Sequence, residues 1–538
     1  MWSGAGSICR FIRMSEASAV DGLVDRFLAH HRSFYPVDAT FMGLAGADHR
    51  LPPAHREAQE EEREALAGMW RDLNRVGEGR TAGERLDKRL LGAAITHARM
   101  AADLRPRHVQ PTWYSGEVAF GIISLLLPSA PDDARNALAG RLAAIPRFLD
   151  EGVAALAHTP VPQDWVIRAT RECDALLRLL SSGLRLHPFW RGALEDSCKL
   201  AEAAVLRFRS AMAGLAPADG ACGRDLLVVL MRDVHGLPWS PEEALELASE
   251  SFARLGHDIA EQRRRIGDQP SPAQELVDPA DLPDAYRTWH ERTMAVALGL
   301  VSPATEYGLS FAPLPEWAKG IAGDLYFLSY RSPPGLAPGS GSTYWTAPVA
   351  QARVAIKQTH AVHHGSIGHH TQNARARKAA SRLARLGGTD CASGIAFLSS
   401  GTMVEGWSSY TTELMREIDG FYSAVEILVQ MEAERRNAAS VIADIKLHTG
   451  EWTLERMRAF YTDEAGFPAQ RVWAETTRNS ILPATRLMYF LGTQQIKDLR
   501  RELGGSTLAF HDKLLSYGNM PIAWLADEMR VSRQAQTT

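Results

Sequence analysis

The sequence predicts a mostly α-helical fold with a small β hairpin, and three observations carry that prediction. Long stretches set apolar residues at helical spacing among charged ones, as in AHREAQEEEREALAGMWRDLN at 54–74. Helix punctuation is plain at Ser240-Pro241-Glu242-Glu243, where an N-cap serine, a proline at the first helical position and a capping glutamate stand in order. No alternation of strand and helix patterns suggests a parallel sheet, and no internal repeat is evident.

The elements follow in chain order. Residues 1–13 are basic but lack the apolar core and small-residue cleavage site of an export signal. They read as a disordered extension before a natural-looking start at Met14, and residues 14–538 read as one helical domain. Residues 54–74 suit a solvent-facing helix. The apolar run at 118–128 is too short for the roughly 20 residues that a bilayer requires. A helix over 241–265 opens at Ser240. The segment DLYFLSYRSPPGLAPGSGSTYWTAP at 324–348 breaks the helical pattern. Its aromatic and β-branched residues flank a Pro/Gly/Ser loop and predict a strand pair beside a central cleft. A further helical stretch covers 405–437.

Composition narrows the function. Of 538 residues, 45% are hydrophobic and 23% charged, which suits a large buried core. The net charge of −4 argues against a general affinity for nucleic acid or an anionic membrane. Cys9, Cys173, Cys198, Cys222 and Cys391 are scattered and form no CxxC pair. That argues against a disulfide framework or a cysteine-bound zinc, and the expected location is the cytoplasm.

The densest chemical signal is THAVHHGSIGHHTQ at 359–372. Five of the 18 histidines fall between His360 and His370. Neutral imidazole is the commonest protein ligand for transition metals. On an α-helix His360 and His364 would sit one turn apart and share an ion. His363 and His370 would lie about 10 Å apart along the axis, too far for one ion unless the helix breaks. Gly365 and Gly368 supply residues for such a break.

His363-His364-Gly365-Ser366-Ile367-Gly368-His369-His370-Thr371-Gln372 resembles the HExxPGHHxQ motif of the bacterial domain-of-unknown-function 885 (DUF885) family. Glu405-Gly406-Trp407-Ser408-Ser409-Tyr410 is similar to that family's EGWALY. The likeness continues at 447–453, at Glu475, Arg478, Pro483, Tyr489 and Gly492, at Phe510-His511-Asp512, and near the start at 35–43. It spans nearly the whole chain. The family is grouped with thermolysin-like zinc metallopeptidases, so the resemblance implies a helical metallopeptidase-like fold. It implies a metal held by His363, His369 and Glu405, a set with an open position suited to zinc. Iron and manganese are the alternatives. His364, His360 or His370 would add a ligand or support one.

The family's general base is the glutamate that His364 replaces, and no Asp or Glu lies between Asp324 and Asp390 to stand in for it. Ile367, Thr412, Asn479 and Ala484-Thr485 also depart from the pattern. Three activities fit: a hydrolase with His364 as base, a redox or lyase metalloenzyme of the non-haem iron kind, and a silent metal- or peptide-binding scaffold. The expected partner is a small-molecule or peptide-like substrate, with a carboxylate that Arg478 could grip; Tyr489 or His511 could face a developing oxyanion. Oligomeric state is left open. Arg375, Arg377, Lys378, Arg382 and Arg385 read as the solvated face of a helix ended by Gly387-Gly388 rather than as an electropositive wall. Trp407 and Tyr410 read as core.

Overall fold

A computed structural model describes residues 18–537, except 271–273, 326–328, 338, 340 and 387–399. The extension expected at 1–13, Cys9, Cys391 and the Gly387-Gly388 stop lie outside the described residues. Helix makes up 69% and strand 4%, so the mostly α expectation holds. Among the described residues no helix is long and apolar enough to cross a membrane; the apolar run from residue 118 sits in the buried helix Pro111–Leu126.

Helices form where caps and spacing announce them. The first two expected helices span Arg56–Leu73 and Pro241–Ile266. Ser240 Oγ accepts the Glu243 N–H while the Glu243 carboxylate accepts the Ser240 N–H, which satisfies two end donors at once. The stretch expected as one helix over 405–437 is instead two. Gly401–Leu414 continues through a 3-10 turn to Glu417, and Ala424–His448 begins afresh. Gly420, at φ 67°, reverses the chain between them, and Ser423 with Glu426 caps the second helix.

Three large apolar clusters hold these helices. One joins Val24, Leu90, Met403, Trp407 and Leu514; a second joins Tyr114, Leu142, Leu176 and Phe208; a third joins Leu227, Ile442, Tyr461 and Leu487. The Glu405 helix, Gly401–Leu414, packs unusually close to the Tyr489 helix, Leu487–Leu503. A Cβ on Gly492 would stand 2.2 Å from the Thr402 carbonyl oxygen, so only glycine allows this approach. Thr493 Oγ1 then donates to the Gly406 carbonyl at 3.2 Å.

Among the described residues five short strands occur: β1 (Leu276–Val277), β2 (Gly308–Pro313), β3 (Tyr330–Arg331), β4 (Gly341–Thr346) and β5 (Gln351–Ala352). β1 pairs antiparallel with β5. β3 and β4 are the antiparallel pair expected within 324–348, with Tyr330 opposite Tyr344. β2 adds in parallel to the other edge of β4, which the sequence did not announce.

Two turns in the fold are alike. Leu230–Val234 and Phe460–Glu464 are both π-helical turns. Each ends on a glycine with positive φ, Gly236 and Gly466. Each is then followed by an apolar residue and a proline, Leu237-Pro238 and Phe467-Pro468. The Leu237 and Phe467 N–H groups donate to Met231 and Tyr461 carbonyls. Both units pack into the same apolar cluster.

Candidate metal centre

The histidine motif is not α-helical. Ile356–His364 and Ser366–His370 are wide π-type turns separated by a corner. Gly365 leaves helical geometry at ψ −150° and Ser366 sits at φ 28°. His290 secures this corner: its Nδ1 accepts the Ser366 N–H at 3.1 Å, and its carbonyl accepts the Ser366 hydroxyl at 3.2 Å. Gly368 makes a second break at ψ −129°, where a Cβ would lie 1.9 Å from the His363 carbonyl oxygen. The two breaks fold the segment back on itself. His369 thereby meets His363 with ring centroids 5.0 Å apart, which is the break that the glycine spacing predicts.

Glu405 arrives from a different helix. Its Oε2 lies 3.9 Å from His363 Nε2 and 3.7 Å from His369 Nε2, and the three ligand atoms lie within 4.8 Å of one another. Ligands about 2.1 Å from a tetrahedral ion stand about 3.4 Å apart, so the three atoms must draw together to hold one, the two glutamate contacts only slightly. Among the described residues no other three His, Cys, Asp or Glu side chains meet that geometry. Burial, and then His369, push the His363 pKa well below its ordinary value, so that ring is neutral at neutral pH. Gln372 Nε2 donates to the Met403 carbonyl at 2.8 Å, which turns its Oε1 to His369 Nδ1 at 3.2 Å. That oxygen can only accept, so His369 carries a hydrogen on Nδ1 and turns its Nε2 toward Glu405. His363 has a backbone hydrogen bond to Ser408 on the Glu405 helix.

The other motif histidines stay outside this set. His364 stands 4.9 Å from the His363 ring and stacks 5.8 Å from His369. Its Nδ1 meets the Tyr344 hydroxyl at 2.8 Å, and the same hydroxyl meets His360 Nδ1 at 2.5 Å. His360 and His364 therefore share a tyrosine, not an ion, because β4 places Tyr344 between them. His370 is also not brought to the triad. It is fully buried, and its Nε2 donates to the Tyr307 carbonyl at 2.8 Å.

Of the later candidates, His511 is a buried bridge. Its Nδ1 donates to the Leu300 carbonyl at 2.6 Å, and its Nε2 accepts the Tyr410 hydroxyl at 2.9 Å. Both nitrogens are committed behind Trp407, 5.4 Å away, which corrects the oxyanion role expected for it. Trp407 and Tyr410 are core, as expected. Tyr489 is half-buried one turn before Gly492, with the Arg486 guanidinium 5.2 Å from its ring. Arg478 is half-buried on Ala469–Ile481, while Glu475 pairs with Arg471 and Arg486.

The arginines after the motif are mostly clamps on backbone carbonyls, while Lys378 stays exposed. The expected helix covers only Thr371–Ala376. Arg377 donates to the carbonyls of Pro333, Pro334 and Ala337, Arg375 to that of Ser302, and Arg385 to that of Ala379. Lys378 pairs with Glu306, and Arg382 with Asp25. With no local acid to pair with, these side chains reach partners elsewhere. Sequence reasoning missed Tyr344, His290 and the role of Gln372. Gln372 could have been found from its place three residues after His369, whereas Tyr344 and His290 act across the fold and leave no spacing signal.

The family model described as "Bacterial protein of unknown function (DUF885)" matches residues 36–529. Two solved structures share the fold. A candidate lipoprotein of unknown function from Shewanella oneidensis aligns with a TM-score of 0.73 at 17% identity, covering 96% of this chain and 100% of that one. A candidate lipoprotein from Colwellia psychrerythraea aligns with a TM-score of 0.75 at 16% identity and the same coverage. No curated protein matches the chain.

Proposed function

The chain belongs to the bacterial DUF885 family, and from that premise we propose that it is a divergent metal-dependent hydrolase-like enzyme. Its centre is His363, His369 and Glu405, its metal a divalent transition ion with zinc first, and its substrate a small molecule or peptide-like compound. The observation that carries this reading is the convergence of two imidazoles and a carboxylate from two separate elements, one imidazole being oriented by Gln372. A divalent ion there supplies Lewis acidity, polarising a carbonyl or phosphoryl oxygen and activating water.

The chain's own residues divide the remaining work. Burial and the neighbouring histidines hold the His364 pKa well below its ordinary value, so its ring is neutral and able to accept a proton. It occupies the place next to the first ligand that glutamate takes in the family motif. Tyr489 and Arg478 are the polar groups proposed to face the substrate, the arginine suiting a carboxylate.

The test is turnover of peptide, amide and ester panels by protein loaded with zinc, manganese or iron(II). We expect turnover with at least one metal and none in His363→Ala. In His364→Glu, cleavage of peptides should rise by about 10-fold or more, because a carboxylate replaces a base weakened by burial, and a general base is worth roughly 10²–10⁴-fold in all. Metal bound without turnover in any form would sink the enzyme reading and leave a scaffold. Oxidation instead of hydrolysis by the iron form would move the assignment to the non-haem iron class.

A further inference from the structure

Replacing a glutamate by a histidine beside a metal centre creates a problem that glutamate does not have. A carboxylate offers lone pairs from both oxygens. A neutral imidazole offers a lone pair from one nitrogen and a hydrogen from the other, so its tautomer decides what the site meets. We propose that Tyr344 is the positioning residue that fixes the tautomer of His364, keeping a hydrogen on Nδ1 and leaving the Nε2 lone pair for the metal centre, and that His360 is the acceptor that makes this possible.

The argument is a count of hydrogens. The Tyr344 side chain is fully buried in β4, opposite Tyr330 of β3 and Phe311 of β2, so its hydroxyl is held in place by the sheet. Two ring nitrogens, His360 Nδ1 and His364 Nδ1, converge on that one oxygen. The hydroxyl has one hydrogen to give and can accept through its lone pairs. If both nitrogens were bare, one contact would set lone pair against lone pair. If both carried hydrogens, the hydroxyl hydrogen would lose both of these acceptors. The satisfied arrangement therefore has opposite tautomers: one ring accepts from Tyr344 and the other donates to it.

Two orders satisfy this count. O–H donors tend to make shorter contacts than N–H donors. The proposed order therefore takes the shorter contact, to His360, as the hydroxyl donating and the longer one, from His364, as Nδ1–H donating to the hydroxyl oxygen. The His360 ring is stacked on Tyr286 at 4.7 Å and 17°, which keeps its Nδ1 aimed at Tyr344. On the other side, the His364 ring lies against both His363 and His369, 4.9 and 5.8 Å away, and with Nδ1 committed to Tyr344 its remaining nitrogen is Nε2. Tyr344 and His360 thus do for the imidazole what Gln372 does for His369.

This inference deepens the functional reading but is tested apart from it, on metal-free protein with ¹⁵N-labelled histidine, by NMR that reads which ring nitrogen bears hydrogen. In the parent, His364 should carry it on Nδ1. His360→Leu removes the acceptor, so the Tyr344 hydroxyl turns to His364 and that ring should switch to the Nε2–H form. His360→Gln restores an acceptor and should restore the parent signature, a rescue that a merely structural role would not give. Tyr344→Phe should also release the Nδ1–H preference; should it fail to fold, the two variants of half-buried His360 still decide the matter. A parent His364 with its hydrogen on Nε2, or a His360→Leu signature identical to the parent's, overturns the proposal. Because no metal and no turnover enter the measurement, failure of the hydrolase reading leaves this result standing, and the reverse.

Discussion

At the scale of single residues, burial sets the chemistry. Asp444 is fully buried; Oδ1 accepts the Ala484 N–H, and desolvation lifts its carboxyl to about 8 despite Arg486 and Arg105. The folded chain thus keeps a proton that the unfolded chain releases above the ordinary aspartate range. Stability from this group is present at low pH and falls as pH rises towards about 8. His448, lowered to about 3 mainly by burial, acts oppositely, losing stability as pH falls below 6.5. Glu434, also lifted to about 8 by burial, adds a fall of the same sign between pH 6.5 and pH 8, and comparison with Asp444→Asn separates the two. Urea unfolding should show the parent losing roughly 2 kcal/mol over that interval relative to Asp444→Asn, from about 1.4 kcal/mol per pH unit. An equal pH dependence in both proteins would refute the assignment. Residue-level legibility was uneven for a physical reason. His363, His369 and Glu405 were named through the likeness to the DUF885 motifs, and the fold brings the three together. The actual partners of His360, His364, His370 and His511 were not legible, because Tyr344, Tyr307, Tyr410 and the Leu300 carbonyl reach them only through the fold.

At the scale of elements, the centre depends on two pieces of backbone meeting at a set distance. The π-type motif supplies the histidines, and the Glu405 helix is located by its close approach to the Tyr489 helix at Gly406 and Gly492. Gly492→Ala puts a methyl against the Thr402 carbonyl and must push the helices apart. It should destabilise the protein by about 1–3 kcal/mol, the usual cost of overpacking, and weaken metal binding through displacement of Glu405. Denaturant unfolding and a metal titration check the two effects; unchanged stability would mean that the contact is not tight. Capped helices such as Pro241–Ile266 were legible because their signals are adjacent in sequence. The break at Gly420 was hidden by continuous helical spacing on both sides, and β2 was hidden because its pairing with β4 is parallel and distant.

At the scale of the whole molecule, three apolar clusters carry the helices, and the centre lies where the motif and the Glu405 helix join the first of them through Val362, Ile367, Met403 and Trp407. Trp407 Nε1 donates to the Ile367 carbonyl at 2.9 Å, tying the ligand helix to the motif through the core. The overall helical fold was legible in composition and patterning, while the metal remained an inference from the motif. Elemental analysis of tag-free protein purified without added metal addresses that inference most directly. The account predicts about one divalent transition metal per chain, retained in His370→Ala and nearly absent in His363→Ala and Glu405→Ala. Metal well below one per chain in the parent, unchanged by His363→Ala, would contradict it.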